Sequence, residues 1–137
     1  MLEAEEALEE QFYAARYSAL SKLGWAYYQQ DRVVEAMAEL REAVRMNPDH
    51  CVSRYRLAET YFRYGLADEA QALVEGIVGE DACPIQEAFS LHGDILRSRG
   101  DEDAAKAAYH SCASVAPRSC VAESCRGRLG QGMVAAQ

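Results

Sequence analysis

The chain has little lysine, little proline and no long apolar run. Its 137 residues include two Lys, three Pro and nine Gly. No stretch approaches the roughly 18 uninterrupted apolar residues of a membrane-crossing helix, so membrane insertion is not expected. Basic charge is scarce too: 14 Lys and Arg face 22 Asp and Glu, a net charge of −8. A phosphate backbone needs a basic face. Nucleic acid is therefore excluded as a partner, and an acidic membrane surface is disfavoured for the same reason. Catalytic signatures are missing as well. The sequence has no glycine-rich phosphate loop, no paired histidines on one helix face and no GxSxG elbow. His50, His92 and His110 fall in different segments. Neither an enzyme activity nor a cofactor is expected. The opening residues, Met1-Leu2-Glu3-Ala4-Glu5-Glu6, lack the basic and apolar stretches of a signal peptide. The compartment stays open: cytoplasmic, or periplasmic if the chain is processed from something longer.

What is present leans towards helix. Hydrophobic residues make up 50% of the chain, 24 of them Ala, and charged residues 26%. That composition fits one ordinary domain or one short array of repeats. Twelve Arg against two Lys, with so much Ala, points to a GC-rich, bacterial genome.

A period of 34 residues runs through the chain. Gly24, Ala36 and Ala43 correspond to Ala58, Ala70 and Ile77. After a one-residue slip at Ile85 they correspond again to Gly93, Ala105 and Cys112. Pro48 and Pro117 hold one place in copies one and three, and Asp31, Gly65 and Gly100 share another. The units are residues 17–50, 51–84 and 86–119, after a lead-in of 1–16 and before a tail of 120–137. Each unit reads as two helices. In copy one, Leu20, Leu23 and Tyr27 form one stripe, and Val33, Met37, Leu40 and Val44 a second at helical spacing. Copy two repeats this with Leu57, Tyr61, Leu73, Val74 and Ile77. Copy three does so with Phe89, Ile95, Leu96, Tyr109 and Val115. The residue before each Pro is pushed out of the α region, which ends the second helix. Gly24 and Ala36, and their counterparts, are small enough to let two helices approach closely. One hairpin cannot bury its apolar face alone, so it must stack on the next.

The pattern Leu23-Gly24-x2-Tyr27, Ala36, Leu40, Ala43, Pro48 resembles the tetratricopeptide repeat. Copies two and three match through Leu57-Ala58-x2-Tyr61, Gly65 and Ala70, then through Phe89, Gly93, Gly100, Ala105, Tyr109 and Pro117. The resemblance implies an all-α, right-handed superhelix. It would be a solenoid of three helical hairpins (TPR 1 to 3) with an N-terminal helix and a C-terminal capping helix. It also implies protein binding in a concave groove lined by first helices. Carried over by position, that groove is lined by Ser18, Ser21, Trp25, Tyr28 and Gln29 in copy one. Copy two gives Val52, Tyr55, Glu59, Phe62 and Arg63, and copy three Glu87, Ser90, Asp94, Arg97 and Ser98. Trp25, Tyr28, Tyr55, Glu59, Phe62, Arg63, Asp94 and Arg97 are the candidate partner-binding residues. Some family members clamp an acidic tail with cations and amides. Here Ser21, Trp25, Glu87 and Leu91 hold those places and only Arg56 fits, so such tails are not expected to bind.

The ends carry further expectations. Leu8, Phe12, Ala15 and Ala19 continue at helical spacing into the first repeat. They predict one long helix from about residue 3 to 30, or a short helix docked before the array, with Leu8 and Phe12 as a self-association edge. Residues 120–129 are expected to form the capping helix, weakened by glycines, and 130–137 a flexible tail. His110, Cys112, Cys120 and Cys125 offer four zinc donors, but at no known zinc spacing, so no metal is expected. A disulfide from Cys120 or Cys125 to Cys112 is the stronger reading, and it needs an oxidising compartment. Two functions compete. One is an adaptor or scaffold whose aromatic groove takes a peptide or helix of a partner protein. The alternative is a structural assembly component of a multiprotein complex, of the bacterial secretion or pilus type, acting through self-association or its convex face.

Overall fold

The computed structural model describes residues 2–79 and 83–135, which form seven α-helices and, among the described residues, no strand. The chain divides into two compact units, Met1–Leu66 and Ala67–Gln137. The first contains α1 (Leu2–Gln29), α2 (Val33–Met46) and α3 (Cys51–Tyr64). The second contains α4 (Ala67–Val78), α5 (Gln86–Ser98), α6 (Glu102–Val115) and α7 (Cys120–Ala135).

The turns show why the helices pair. Asp31, Gly65 and Gly100 have φ of 63°, 98° and 85°. This left-handed conformation is readily available to Gly, and Asp tolerates it better than most residues. The three positions that share a register in the sequence therefore share a backbone conformation. The Asp101 side chain accepts a bond from the Ala104 amide at 3.2 Å and caps α6. Pro48 and Pro117 each lie two residues beyond the last residue of a second helix, Met46 or Val115.

In the first unit, Ala36, Met37, Leu40 and Ala43 of α2 are buried against α1 and α3. Gly24 gives the closest approach. A Cβ there would stand 2.6 Å from Leu40 Cγ and 3.2 Å from the Ala36 carbonyl. In the second unit, Val74, Ile77, Ala88, Leu91 and Ile95 are buried, as are Ala105, Tyr109 and Cys112. Gly93 repeats the role of Gly24, since a Cβ there would lie 2.5 Å from the Tyr109 ring. The side chain seated on each glycine is thus Leu40 or Tyr109, one turn beyond the alanine that sequence spacing sets opposite it. Tyr109 is fully buried and cannot swing away. Gly93→Ala is expected to lower stability by about 1–3 kcal/mol through overpacking, read as a lower urea midpoint.

Of the two readings of the lead-in, one long helix is the one seen, since α1 runs unbroken from Leu2 to Gln29. Three expectations need revision. Leu23, placed in a packed stripe, is 43% exposed, and Val115 is 48% exposed. The tail is helical further than expected, since α7 continues through Gly127, Gly130 and Gly132 to Ala135. Exposed glycines weaken a helix only by roughly 1 kcal/mol each, and α7 has tertiary packing to offset that. Residues 136–137 lie outside the described residues.

Candidate functional site

The candidate residues of the first unit lie on the first helices α1 and α3. Trp25 and Tyr28, three positions apart, project from the same side of α1. Their rings stack with centroids 4.6 Å apart and planes 6° from parallel. Tyr55 of α3 closes on Trp25 with centroids 6.5 Å apart. The Tyr28 hydroxyl donates to Glu59 Oε1 at 2.8 Å. The Arg63 guanidinium lies 5.0 Å over the Tyr28 ring and pairs with Asp31. Phe62 is half-buried on α3. Trp25, Tyr28 and Tyr55 are also half-buried.

Arg56, which fits a clamp position but is not among the groove-lining residues carried over, also belongs to this surface. Its guanidinium stands 5.5 Å over the Trp25 ring and donates to the buried Ser21 hydroxyl at 3.1 Å. The signal was present in the sequence, because 52, 55, 56, 59, 62 and 63 are one face at helical spacing. The two arginines act as cation–π partners to the stacked pair (each such contact is worth ~0.5–1 kcal/mol at exposed sites). They hold the rings in place by closing on the faces of the stack. Burial, then the hydrogen bond and charge of Glu59, push the Tyr28 hydroxyl up to about 12. Tyr28 therefore stays a neutral donor at physiological pH. Burial pushes the Arg56 guanidinium below its usual range.

In the second unit, Asp94 and Arg97 lie together on α5, and both are engaged. Asp94 Oδ1 accepts from the Tyr109 hydroxyl at 2.6 Å and pairs with Arg128 Nε of α7 at 2.8 Å. Arg97 pairs with Glu102 at 2.7 Å, donates to the Arg128 carbonyl at 3.0 Å and stands 4.8 Å over the Tyr109 ring. These two residues tie α5 to α6 and α7. They form an intramolecular network and present no open aromatic surface. Burial and Asp94 push the Tyr109 hydroxyl well above its ordinary range.

The cysteines divide. Cys112 and Cys125, both fully buried, form a disulfide between α6 and α7, while Cys120 is exposed with a free thiol. The bond consumes two of the four zinc donors. Among the described residues, no group of three or more His, Cys, Asp or Glu is placed to hold a metal ion.

Pockets also lie outside the candidate surface. In the first unit, one of about 470 Å³ is lined by Glu9, Glu10, Tyr13, Ala14, Tyr17, Met46 and Asn47. The Tyr13 hydroxyl donates to the Met46 carbonyl there at 2.6 Å. In the second unit, one of about 560 Å³ includes Phe89, His92, Leu96 and Ala108. Burial holds the His92 imidazole below its usual range, against the pull of Glu75 at 4.0 Å.

A family model described as the tetratricopeptide repeat matches residues 27–95, and a second of the same description matches residues 86–119. No curated protein matches the chain. Solved structures do match. The first TPR domain of human RPAP3 has a TM-score of 0.76 at 19% identity, covering 88% of this chain and 94% of that one. The Arabidopsis OM64 TPR domain has a TM-score of 0.77 at 16% identity, covering 87% and 98%. PcrH in complex with the chaperone-binding region of PopB has a TM-score of 0.71 at 17% identity, covering 85% and 93%.

Proposed function

Because the chain belongs to the tetratricopeptide repeat family, we propose that it is a non-enzymatic adaptor whose α1–α3 aromatic surface takes a peptide or helix of a partner protein. The family is typically an interaction fold without catalysis, and similar structures are of complexes: the first TPR of Spaghetti with an HSP90 peptide, and PcrH with a segment of PopB. One observation carries the reading. The Trp25–Tyr28 stack, flanked by Arg56 and Arg63, stays half-exposed in a protein whose buried core does not use it. Aromatic and arginine side chains dominate the energetics of protein interfaces. A stacked pair with locked rings offers a partner contact area at low entropic cost. Asp94 and Arg97 contribute less, because their polar atoms are already bonded.

The test is affinity capture from the source cell, followed by the Trp25→Ala/Phe62→Ala double variant. Capture should weaken tenfold or more, about 1.4 kcal/mol or above, with the circular dichroism spectrum unchanged. Undiminished capture by a folded double variant would retire the reading. The assembly reading has its own support. Leu8, Phe12 and Tyr13 of α1 are 52%, 72% and 49% exposed, more than a lone helix edge needs.

A further inference from the structure

The internal repeat shows which face of α1 is unfinished. Ser53, Leu57 and Thr60 of α3 are 0%, 4% and 0% exposed on the side where α2 packs. Their counterparts on α5, packed by α4, include Ala88 and Ile95, both at 0%. On α1 the same positions are Ala19, Leu23 and Ala26. Ala19 is exposed, Leu23 is 43% exposed and Ala26, nearest the turn, is half-buried. The extension continues this stripe through Ala15, Phe12, Leu8 and Ala4, all exposed. The result is a bare seam about 30 Å long at 1.5 Å per residue, opposite the face that meets α2.

From this bare seam, which deepens the assembly reading, we infer that α1 pairs antiparallel with α1 of a second copy of this chain. The seam is complementary to itself in one register. Set antiparallel with Phe12 opposite Ala15 of the second copy, it also brings Leu8 opposite Ala19 and Leu23 opposite Ala4. Every layer then joins a large side chain to a small one, the arrangement that lets helices interdigitate. A two-fold axis repeats each pair on the other half. Charge selects the same direction. Glu9 and Arg16, both exposed and on one flank of the seam, come within a helical turn of each other's counterparts. A parallel pair would set Phe12 on Phe12 and superimpose the acidic Glu5, Glu6, Glu9 and Glu10 of both copies.

Light scattering across micromolar concentrations reads the mass. Wild type should give two chains. Phe12→Glu, at a residue 72% exposed and outside the core, should give one chain with an unchanged circular dichroism spectrum. Glu9→Arg and Arg16→Glu should each weaken the dimer roughly tenfold, and the double exchange should restore it to within about threefold of wild type. A one-chain wild type overturns the inference and assigns the seam to some other occupant. A Phe12→Glu variant that stays dimeric, or a double exchange as weak as the singles, overturns it too. Failure of the Trp25/Phe62 capture test leaves these outcomes unaffected, so the two readings fail separately.

Discussion

Tyr109→Ala should cost the protein about 3–5 kcal/mol, the range for emptying a buried aromatic site. The ring is fully buried and sits on the bare backbone of Gly93, where a single added carbon would collide with it. Gly93 itself has no side chain with which to fill the space it leaves. The hydroxyl also donates to Asp94 at 2.6 Å, and Arg97 lies over the ring. The alanine variant therefore loses packing, a charge-assisted hydrogen bond and a cation–π contact together. Tyr109→Phe separates these terms. It keeps the ring and should lose only about 1.5–3 kcal/mol, the range for a hydrogen bond to a charged group. Small domains hold roughly 5–15 kcal/mol in total, so the alanine variant should approach the limit of folding. Urea unfolding followed by circular dichroism measures both. An alanine variant within 1 kcal/mol of wild type would contradict the Gly93–Tyr109 seam.

The second large effect is expected on breaking the Cys112–Cys125 bond. It closes a loop with a sequence separation of 13. Opening a loop of that length frees the unfolded chain by roughly 3 kcal/mol. The bond also holds the helix least able to hold itself, since α7 carries Gly127, Gly130 and Gly132. Its other anchors are Val121 and Leu129 packed against the core of the unit, the buried Ala122, Arg128 on Asp94 and the Arg97 bond to the Arg128 carbonyl. In Cys125→Ser, amide exchange should rise first across residues 120–129, before α5 and α6 respond. Exchange that rises evenly through the unit would mean α7 is not the weak element. Unchanged exchange and unchanged stability would mean the bond carries none of the load.

The repeat made much of the fold legible. Asp31, Gly65 and Gly100 marked one turn by register, and all three adopt the left-handed conformation that the turn requires. Leu23 shows where register misleads. Its counterpart Leu57, on the helix that follows α2, is buried, whereas Leu23 is left 43% exposed. The repeat specifies a face but does not supply the neighbour that buries it. α7 was misjudged for a related reason. Glycine content measures local propensity, while helix survival there depends on a disulfide and ion pairs to residues far away in sequence. On the candidate surface, the groove positions carried over from the resemblance grouped Trp25, Tyr28, Tyr55 and Glu59, and helical spacing fixes which of them share a side of α1 or of α3. It did not reveal that Asp94 and Arg97 are held by Tyr109, Glu102 and Arg128. Those partners arrive through tertiary packing that no local pattern encodes.

Trp25 is the one tryptophan in the chain, and it lies at the centre of the proposed partner surface. A titration of the captured partner peptide, followed by Trp25 emission and in parallel by calorimetry, tests the account most directly. Emission should shift or quench and saturate at the calorimetric stoichiometry. Calorimetric binding that leaves Trp25 emission untouched would contradict it.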